Sequence, residues 1–240
     1  MKRSLVLVAG LLLGQAAAAD PKELVILLDD STEMPQAEIS GTRVWRGIHH
    51  DLGRALAKEL GKRPRFLVLP RQRIPTALAS GQADLICMYL PAWLPGPFDW
   101  TQPFLPNADI VVTSRRGTRP RRIEALAGQP IGTILGFRYP ELEARLGPRF
   151  VRDDAPNASS NLHKLQAGRT RHAVVNRLYL SYQEKLGLDA ATLYPPLVLR
   201  RYQAGCALSR QGSVSLPQVD AAIDALRRND TVSRIYRKYR

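Results

Sequence analysis

Cysteine is scarce in this sequence, with only Cys87 and Cys206 among 240 residues. Two cysteines cannot form the dense disulfide framework of a small secreted scaffold, and the four histidines do not combine with them at the spacing of a zinc site. Each cysteine lies in an apolar, strand-like run, so we predict two free, buried thiols. A single bridge between them is the alternative, because disulfides persist in oxidising compartments.

The sequence also lacks the arrangements that carry hydrolytic or metal chemistry. No Gly-x-Ser-x-Gly turn and no ordered set of Ser, His and Asp is visible. His49 and His50 are adjacent, so on a helix their side chains project about 100° apart and do not share one ion. With Asp51 they are expected to form a solvated first helical turn. We therefore predict no metal, no cofactor and no enzymatic activity.

Long apolar runs are nearly absent as well. The run at 5–13 follows Lys2 and Arg3 and precedes a string of small residues that ends at Ala19. Basic, apolar and small-residue regions in this order are typical of a secretory signal peptide, and the run is too short to span a bilayer. The sequence predicts a signal peptide over 1–19, cleavage after Ala19 and export to the periplasm.

Acidic residues are outnumbered, 21 against 35 basic ones. The excess is uneven, because residues 20–113 carry a net charge of −1, residues 114–203 carry +9, and residues 204–240 carry +4. Predicted export argues against nucleic acid as the partner, and aromatic residues alternate with basic ones only near the end of the chain. The basic middle third favours an anionic ligand or a membrane-surface partner, with a solvated arginine-rich surface as the alternative.

The apolar periodicity alternates between strands and helices, which is typical of α/β folds. Strands are predicted at 23–30, 65–70 and 83–90, with helices at 47–61 and 73–81 between them. A second set follows, with strands at 130–135, 149–154 and 172–177, helices at 139–147 and 159–168, and Ser159 or Ser160 as the N-cap of the latter. A strand at 204–210 and helices at 217–226 and 230–240 complete the chain. We predict a first lobe at 20–113, a second at 114–203 and a return to the first at 204–240.

One phrase occurs twice. Residues 78–90 read LASGQADLICMYL and residues 165–177 read LQAGRTRHAVVNR, so that Asp84 in the first corresponds to Arg171 in the second. Each copy is typical of a helix that ends at a C-cap glycine and is followed by a strand. In open α/β sheets, ligands bind beyond the carboxyl ends of such strands. Two lobes that face each other at these ends would enclose a cleft.

Five segments in order resemble the periplasmic solute-binding proteins of family 3, which serve amino-acid ABC importers. These are DDSTEMP, RGIHHDLGRALAKELG, RIPTALASGQADLI, FDWTQPFL and ALAGQPIGTILGFRY, and together they extend over essentially the whole chain after the predicted signal peptide. The resemblance implies a type 2 periplasmic-binding fold, in which two α/β lobes joined by a two-strand hinge close on a solute. It also implies a monomer that works with an ABC permease in the inner membrane. A dehydratase-like enzyme on the same fold and an accessory protein of a periplasmic oxidoreductase are the alternatives.

The resemblance also indicates which solute to expect. Family members usually hold an amino-acid carboxylate with an arginine in a Thr-x-x-x-Arg stretch after the third strand, but residues 88–96 contain neither residue type. An aspartate usually holds the ammonium group, and Asn176 is the nearest candidate here. Burying either charge unpaired costs several kcal/mol. We therefore predict a small polar or anionic organic solute and weak binding of ordinary α-amino acids.

The candidate ligand-binding residues follow the predicted strands. Arg138 is the predicted anion-binding side chain, because it precedes a helix whose N–H groups and dipole favour negative charge. The full set comprises Asp30, Ser31 and Glu33 after the first strand, Tyr89 and Trp93 after the third, Arg138 and Tyr139 in the second lobe, and Asn176.

Overall fold

The computed structural model describes residues 22–240. The predicted signal peptide and its cleavage site after Ala19 lie outside this range. Between residues 22 and 240, no helix is both long enough and apolar enough to cross a membrane.

The first lobe is built from apolar strands and amphipathic helices in alternation. Its elements are β1 (Glu23–Asp29), β2 (Glu38–Ser40), β3 (Arg43–Arg46), α1 (Ile48–Glu59), β4 (Arg63–Leu69), α2 (Ile74–Ala79), β5 (Leu85–Tyr89) and β6 (Asp99–Trp100). Strand β1 lies parallel to β4 and β5, and both β1 and β5 are almost completely buried. Helix α1 packs Leu52 and Leu56 against this sheet, as the four-residue spacing predicts.

The second lobe repeats the alternation, and the tail then returns to the first lobe. Its elements are β7 (Leu105–Thr113), β8 (Pro130–Ile134), α3 (Pro140–Leu146), β9 (Val151–Ala155), α4 (Ala158–Gln166), β10 (His172–Asn176), α5 (Arg177–Lys185) and β11 (Leu197–Leu208). Helices α6 (Leu216–Arg228) and α7 (Thr231–Lys238) complete the chain and pack on α1. Helix α4 is capped by Asn157, whose side chain accepts from the Ser160 N–H at 2.9 Å, so the prediction of a serine cap is wrong.

Two long strands connect the lobes. The main sheet has the order β4-β1-β5-β11-β7-β10-β8-β9, with β6 beside β11. Strand β11 pairs with β7 through residues 197–204 and with β5 through residues 205–208. Strands β7 and β11 thus form the predicted two-strand connection.

The apolar cores indicate where the chain crosses between lobes. Leu105 and Ala204 pack in the core around α1, whereas Ala108 and Ile110 pack in the core of the second lobe. The boundaries 20–113, 114–203 and 204–240 stay a prediction, and we propose a first crossing nearer 105–108.

The two cysteines are bonded to each other, so the prediction of free thiols is wrong. Cys87 on β5 and Cys206 on β11 are direct partners in the antiparallel register, and both are buried. Local sequence showed that each lay in a strand, but the pairing depends on a register between segments 119 residues apart.

The residues at the matching position of the repeated phrase, Asp84 and Arg171, have different surroundings in the two lobes. The Asp84 carboxylate is fully buried and accepts from the Val25 N–H at 2.6 Å and the Ser213 N–H at 2.5 Å, which ties β1 and the tail to β5. Arg171, at the corresponding place in the second lobe, is exposed.

Candidate functional site

A cavity of about 130 Å³ lies where the carboxyl ends of the strands of the two lobes face each other. Comparable cavities hold a small organic molecule. Seven of the eight predicted ligand-binding residues line it: Ser31, Glu33, Tyr89, Trp93, Arg138, Tyr139 and Asn176. Asp30 does not, because β1 ends one residue earlier than predicted. The side chain of Asp29 enters the cleft instead, and Asp30 is exposed.

A buried carboxylate and a guanidinium form the floor of the cleft in the first lobe. Asp29 accepts from the Ser31 N–H at 2.9 Å and the Ser31 hydroxyl at 2.8 Å through Oδ1. Its Oδ2 pairs with Arg71 Nη1 at 3.2 Å and lies 3.4 Å from the Tyr89 hydroxyl. This network places one positive charge at the carboxyl end of β4.

Arg71 also connects the two lobes through aromatic contacts. Its guanidinium carbon lies 4.2 Å from the ring centroid of Phe137 in the second lobe and 5.6 Å from that of Tyr89 in the first. Among the described residues, only Nη1 of this guanidinium forms hydrogen bonds. The remaining donors can therefore bind an acceptor in the cleft.

The connecting strands supply a second charged pair beside an aromatic wall. Asp109 on β7 pairs with Arg200 on β11 at 3.4 Å, and Arg200 also lies 3.2 Å from Glu141. The Asp109 carboxylate accepts from the Tyr202 hydroxyl at 3.4 Å. Tyr202 meets Trp93 edge-on, with ring centroids 5.1 Å apart. The wall is thus built from both lobes and from the connection between them.

Burial raises the pKa of Asp109 to about 6, although Arg200 opposes the shift. The folded protein therefore binds a proton at Asp109 more tightly than the unfolded chain does. The contribution of this group to the free energy of unfolding should fall as pH rises from about 4 through about 6, by on the order of 3 kcal/mol.

Urea denaturation of the parent and of Asp109→Asn at several pH values tests this. The difference in unfolding free energy, parent minus variant, should decrease as pH rises from about 4 through about 6 and become constant about one pH unit above that range. A difference that is flat or rises with pH across this window would contradict the assignment.

Glu33 joins the lobes directly. Its carboxylate, in the loop after β1, accepts from the Ser159 N–H in the first turn of α4 at 2.8 Å. A negative charge is favourable at a helix N-terminus. Burial nevertheless raises the pKa of Glu33, since desolvation outweighs the bond from Ser159. The contact is a direct hydrogen bond between the two lobes beside the cleft.

The predicted anion site at Arg138 is only partly formed. The Arg138 side chain is 75% exposed and lies 3.5 Å from Glu143. Glu143 in turn accepts from the Tyr139 N–H at 3.1 Å, so a carboxylate of the chain itself occupies the start of α3. The Tyr139 hydroxyl accepts from the Ile134 N–H at 2.9 Å. Arg138 stays a ligand-binding prediction, at the rim of the cleft.

Asn176 caps the helix that follows it. Its Oδ1 accepts from the Tyr179 N–H at 2.7 Å, which leaves the side-chain amide NH₂ as the group that could donate to a solute. If Asn176 bound an ammonium group, as predicted, the second lone pair of Oδ1 would be the acceptor that its side chain still offers.

His49 is not part of a solvated turn, contrary to the sequence-based prediction. Its ring is buried and lines the cleft, and its Nδ1 has no hydrogen-bond partner in the part of the chain that the structure describes. Burial lowers the pKa of His49 to about 4, so the ring is neutral at physiological pH.

Residues 25–240 match the family described as bacterial extracellular solute-binding proteins, family 3. The chain belongs to this family. It is a solute-binding protein, as the resemblance of its five motifs predicted. No curated protein sequence matches it.

Solved structures place this family member in the type 2 periplasmic-binding fold. The structure of Tv2483 bound to L-arginine matches with a TM-score of 0.74 at 17% identity, over 91% of this chain and 90% of that one. A substrate-binding protein of an ABC uptake transporter from Streptococcus pneumoniae, with bound histidine, gives 0.73 at 15% identity, over 91% and 92%. The ancestral amino-acid-binding protein AncCDT-1, described as a precursor of cyclohexadienyl dehydratase, gives 0.73 at 18%, over 91% and 95%. At these identities the likeness establishes the two-lobe fold.

Several residues that line the cleft of this solute-binding protein were not predicted from its sequence, among them Arg71, Asp109 and Tyr202. Arg71 directly follows Pro70 at the carboxyl end of β4, the position that the rule for open α/β sheets marks for ligand contacts, so this signal was present. Asp109 and Tyr202 lie on the connecting strands, where no local motif marks a site.

Proposed function

We propose that the protein is exported to the periplasm, where a single chain binds one small polar or anionic organic solute between its lobes. The solute is then delivered to an ABC permease or reported to a sensor. The extracellular character of the family and the predicted signal peptide support this location. The mechanism is closure of the cleft, which a solute favours in proportion to its higher affinity for the closed state.

The proposal that the solute is anionic rests on the N–H groups of Arg71 that form no hydrogen bond within residues 22–240. The guanidinium lies between Tyr89 and Phe137, and one side of it is occupied by Asp29. A planar fork with free N–H groups suits a carboxylate, and the adjacent rings suit an apolar or flat body. An anionic group of the solute would bind at Arg71 while its remainder contacts the aromatic wall.

Arg71 also brings ordinary α-amino acids back among the candidate solutes. Weak binding of amino acids was expected because the arginine after β5 and the aspartate for the ammonium group are both missing. Arg71 supplies a guanidinium to the cleft from the end of β4 instead. Asp29 and Asp109 place carboxylate oxygens in the same cleft. The arginine-bound and histidine-bound neighbours make amino acids a sensible set of probes.

The ion pairs and hydrogen bonds of the cleft carboxylates support binding of the solute without its chemical conversion. Asp29 is held by Arg71, Asp109 by Arg200, and Glu33 by the start of α4. A general acid or base must reach the reacting proton of a substrate, and each of these groups is instead engaged within the protein.

A thermal-shift screen of several hundred metabolites, the twenty common amino acids included, tests the proposal. A solute at a hundred times its Kd adds about 2.7 kcal/mol to the free energy of unfolding, which is readily detected as a rise in Tm. We expect carboxylate-bearing solutes to lead the hits, and the neutral amide of the best hit to give a much smaller shift.

Chromatography of the best hit after long incubation with the protein should recover it unchanged. Conversion of the solute would favour the dehydratase-like alternative. A screen in which uncharged solutes alone raise Tm would contradict the role given to Arg71.

A further inference from the structure

Two neighbouring segments of the second lobe carry seven exposed arginines, and this set is here called the arginine face. All seven are exposed, and no acidic residue occurs in the two segments that carry them, 114–122 and 167–171. The members are Arg115, Arg116, Arg119, Arg121, Arg122, Arg169 and Arg171.

Tertiary structure brings the two segments together. The Ser114 N–H donates to the Arg171 carbonyl at 3.0 Å. A side chain at Gly117 would meet Arg171 Cβ at 3.3 Å, and one at Gly168 would meet Arg116 Nη1 at 3.1 Å. The two glycines therefore allow cations from distant parts of the sequence to crowd onto one surface.

The strands beneath hold this surface in place. Buried His172 at the start of β10 lies 3.0 Å from Thr113 Oγ1 through Nδ1 and 2.8 Å from Gln129 Oε1 through Nε2. Arg115 donates to the Leu193 carbonyl at 3.2 Å and lies over the Tyr194 ring. These contacts thus fix the backbone at the starts of the two segments that carry the arginines.

None of the seven side chains forms an ion pair with a carboxylate in residues 22–240. Other arginines of the same lobe do, at Arg138, Arg145, Arg152 and Arg200. Glu124, the nearest acid along the chain, is bridged to Arg145 at 3.2 Å. Crowded like charges repel each other, and among the described residues only Glu124, which attracts Arg122, offsets this repulsion from nearby in the sequence.

The arginine face lies away from the solute cleft. Strands β8 and β10 begin beside it, at Pro130 and His172, and end at the cleft, at Ile134 and Asn176. Five residues of strand separate the two by roughly 15 Å. A cleft-bound solute therefore does not reach these arginines, and another anion is needed to explain them.

The chemistry of the surface favours phosphate. Its cations are all arginine, and a guanidinium fork binds phosphate oxygens bidentately. The large exposed apolar residues of the described chain, Trp45, Leu135, Val151 and Leu186, all lie outside it. The surface thus lacks the apolar centre of a typical protein–protein interface. We propose that the arginine face docks the protein on the phosphate headgroups of an anionic lipid surface, with the solute cleft left free.

Sedimentation with lipid vesicles tests this. The full chain should bind vesicles that contain phosphatidylglycerol and phosphatidylcholine, and not vesicles of phosphatidylcholine alone. Binding should weaken as salt rises, because the attraction is screened. Solute affinity measured with and without vesicles should be the same.

The decisive variant is Arg116→Gln, Arg119→Gln and Arg169→Gln combined. It should lower the partition coefficient onto phosphatidylglycerol vesicles roughly tenfold to a hundredfold. The matched control replaces the exposed Arg54, Arg73 and Arg228 by Gln, which changes the net charge equally within the first lobe. It should lower the partition coefficient less than threefold. All three proteins share the same N-terminal residues, so any contribution of that segment cancels.

Three outcomes overturn the proposal. Equal loss in the control would show a general effect of net charge, and equal binding to both vesicle types would show apolar adsorption. Absence of vesicle binding, together with binding to polyglutamate that the first variant alone loses, would assign the surface to an acidic protein instead.

Discussion

Replacing Cys87 and Cys206 together by alanine is expected to lower the free energy of unfolding by about 2–5 kcal/mol. The bridge closes a loop of 119 residues and joins β5 to β11, one of the two strands that connect the lobes. Without it, the unfolded chain gains conformational freedom that the folded chain does not, so unfolding becomes more favourable.

Urea denaturation of the parent and the double variant gives this difference directly. Thiol counting under denaturing conditions without reductant should find none in the parent, and two after reduction. Two thiols before reduction, or equal unfolding free energies, would contradict a structural bridge.

The elements with strong periodicity could be predicted from sequence. Strand β1 and helix α1 were placed within one or two residues, because an unbroken apolar run and a four-residue leucine spacing each specify one structure. Strand β7 was missed, since Pro106 and Asn107 interrupt its apolar pattern. Helix α5 was also missed, although Asn176 is an ordinary N-cap residue and marks its start.

The first part of β11 shows why sequence patterns gave only part of the site. Arg200 and Tyr202 interrupt the apolar pattern of this strand, and both contact Asp109, which lines the cleft. Their pairing with Asp109 joins positions more than ninety residues apart. Sequence indicated the end of the sheet where a ligand should bind, but the pairs that set the charge of the cleft arise from the sheet register.

Arg71→Gln is expected to weaken binding of the best solute from the screen roughly tenfold to a hundredfold. The change removes the charge from a contact worth about 1.5–3 kcal/mol. Arg71→Lys should recover only part of this loss, because an ammonium lacks the planar fork. Asp29 is 5% exposed and loses its charged partner in Arg71→Gln, so urea denaturation must show that this variant is folded at the temperature of the titration.

Arg73→Gln is the matched control for this change. Arg73 lies two residues from Arg71, is exposed and does not line the cavity. This substitution removes the same charge from the same short 3₁₀ helix, Arg71–Arg73, and so it reports the effect of long-range attraction alone.

Calorimetric titration of that solute into the parent, Arg71→Gln and Arg73→Gln tests most directly whether the interlobe cleft holds an anionic group at Arg71. We expect one solute per chain in the parent, a Kd within about threefold of the parent value in Arg73→Gln, and a Kd raised at least tenfold in folded Arg71→Gln. A folded Arg71→Gln protein that binds the solute as tightly as the parent would contradict this account.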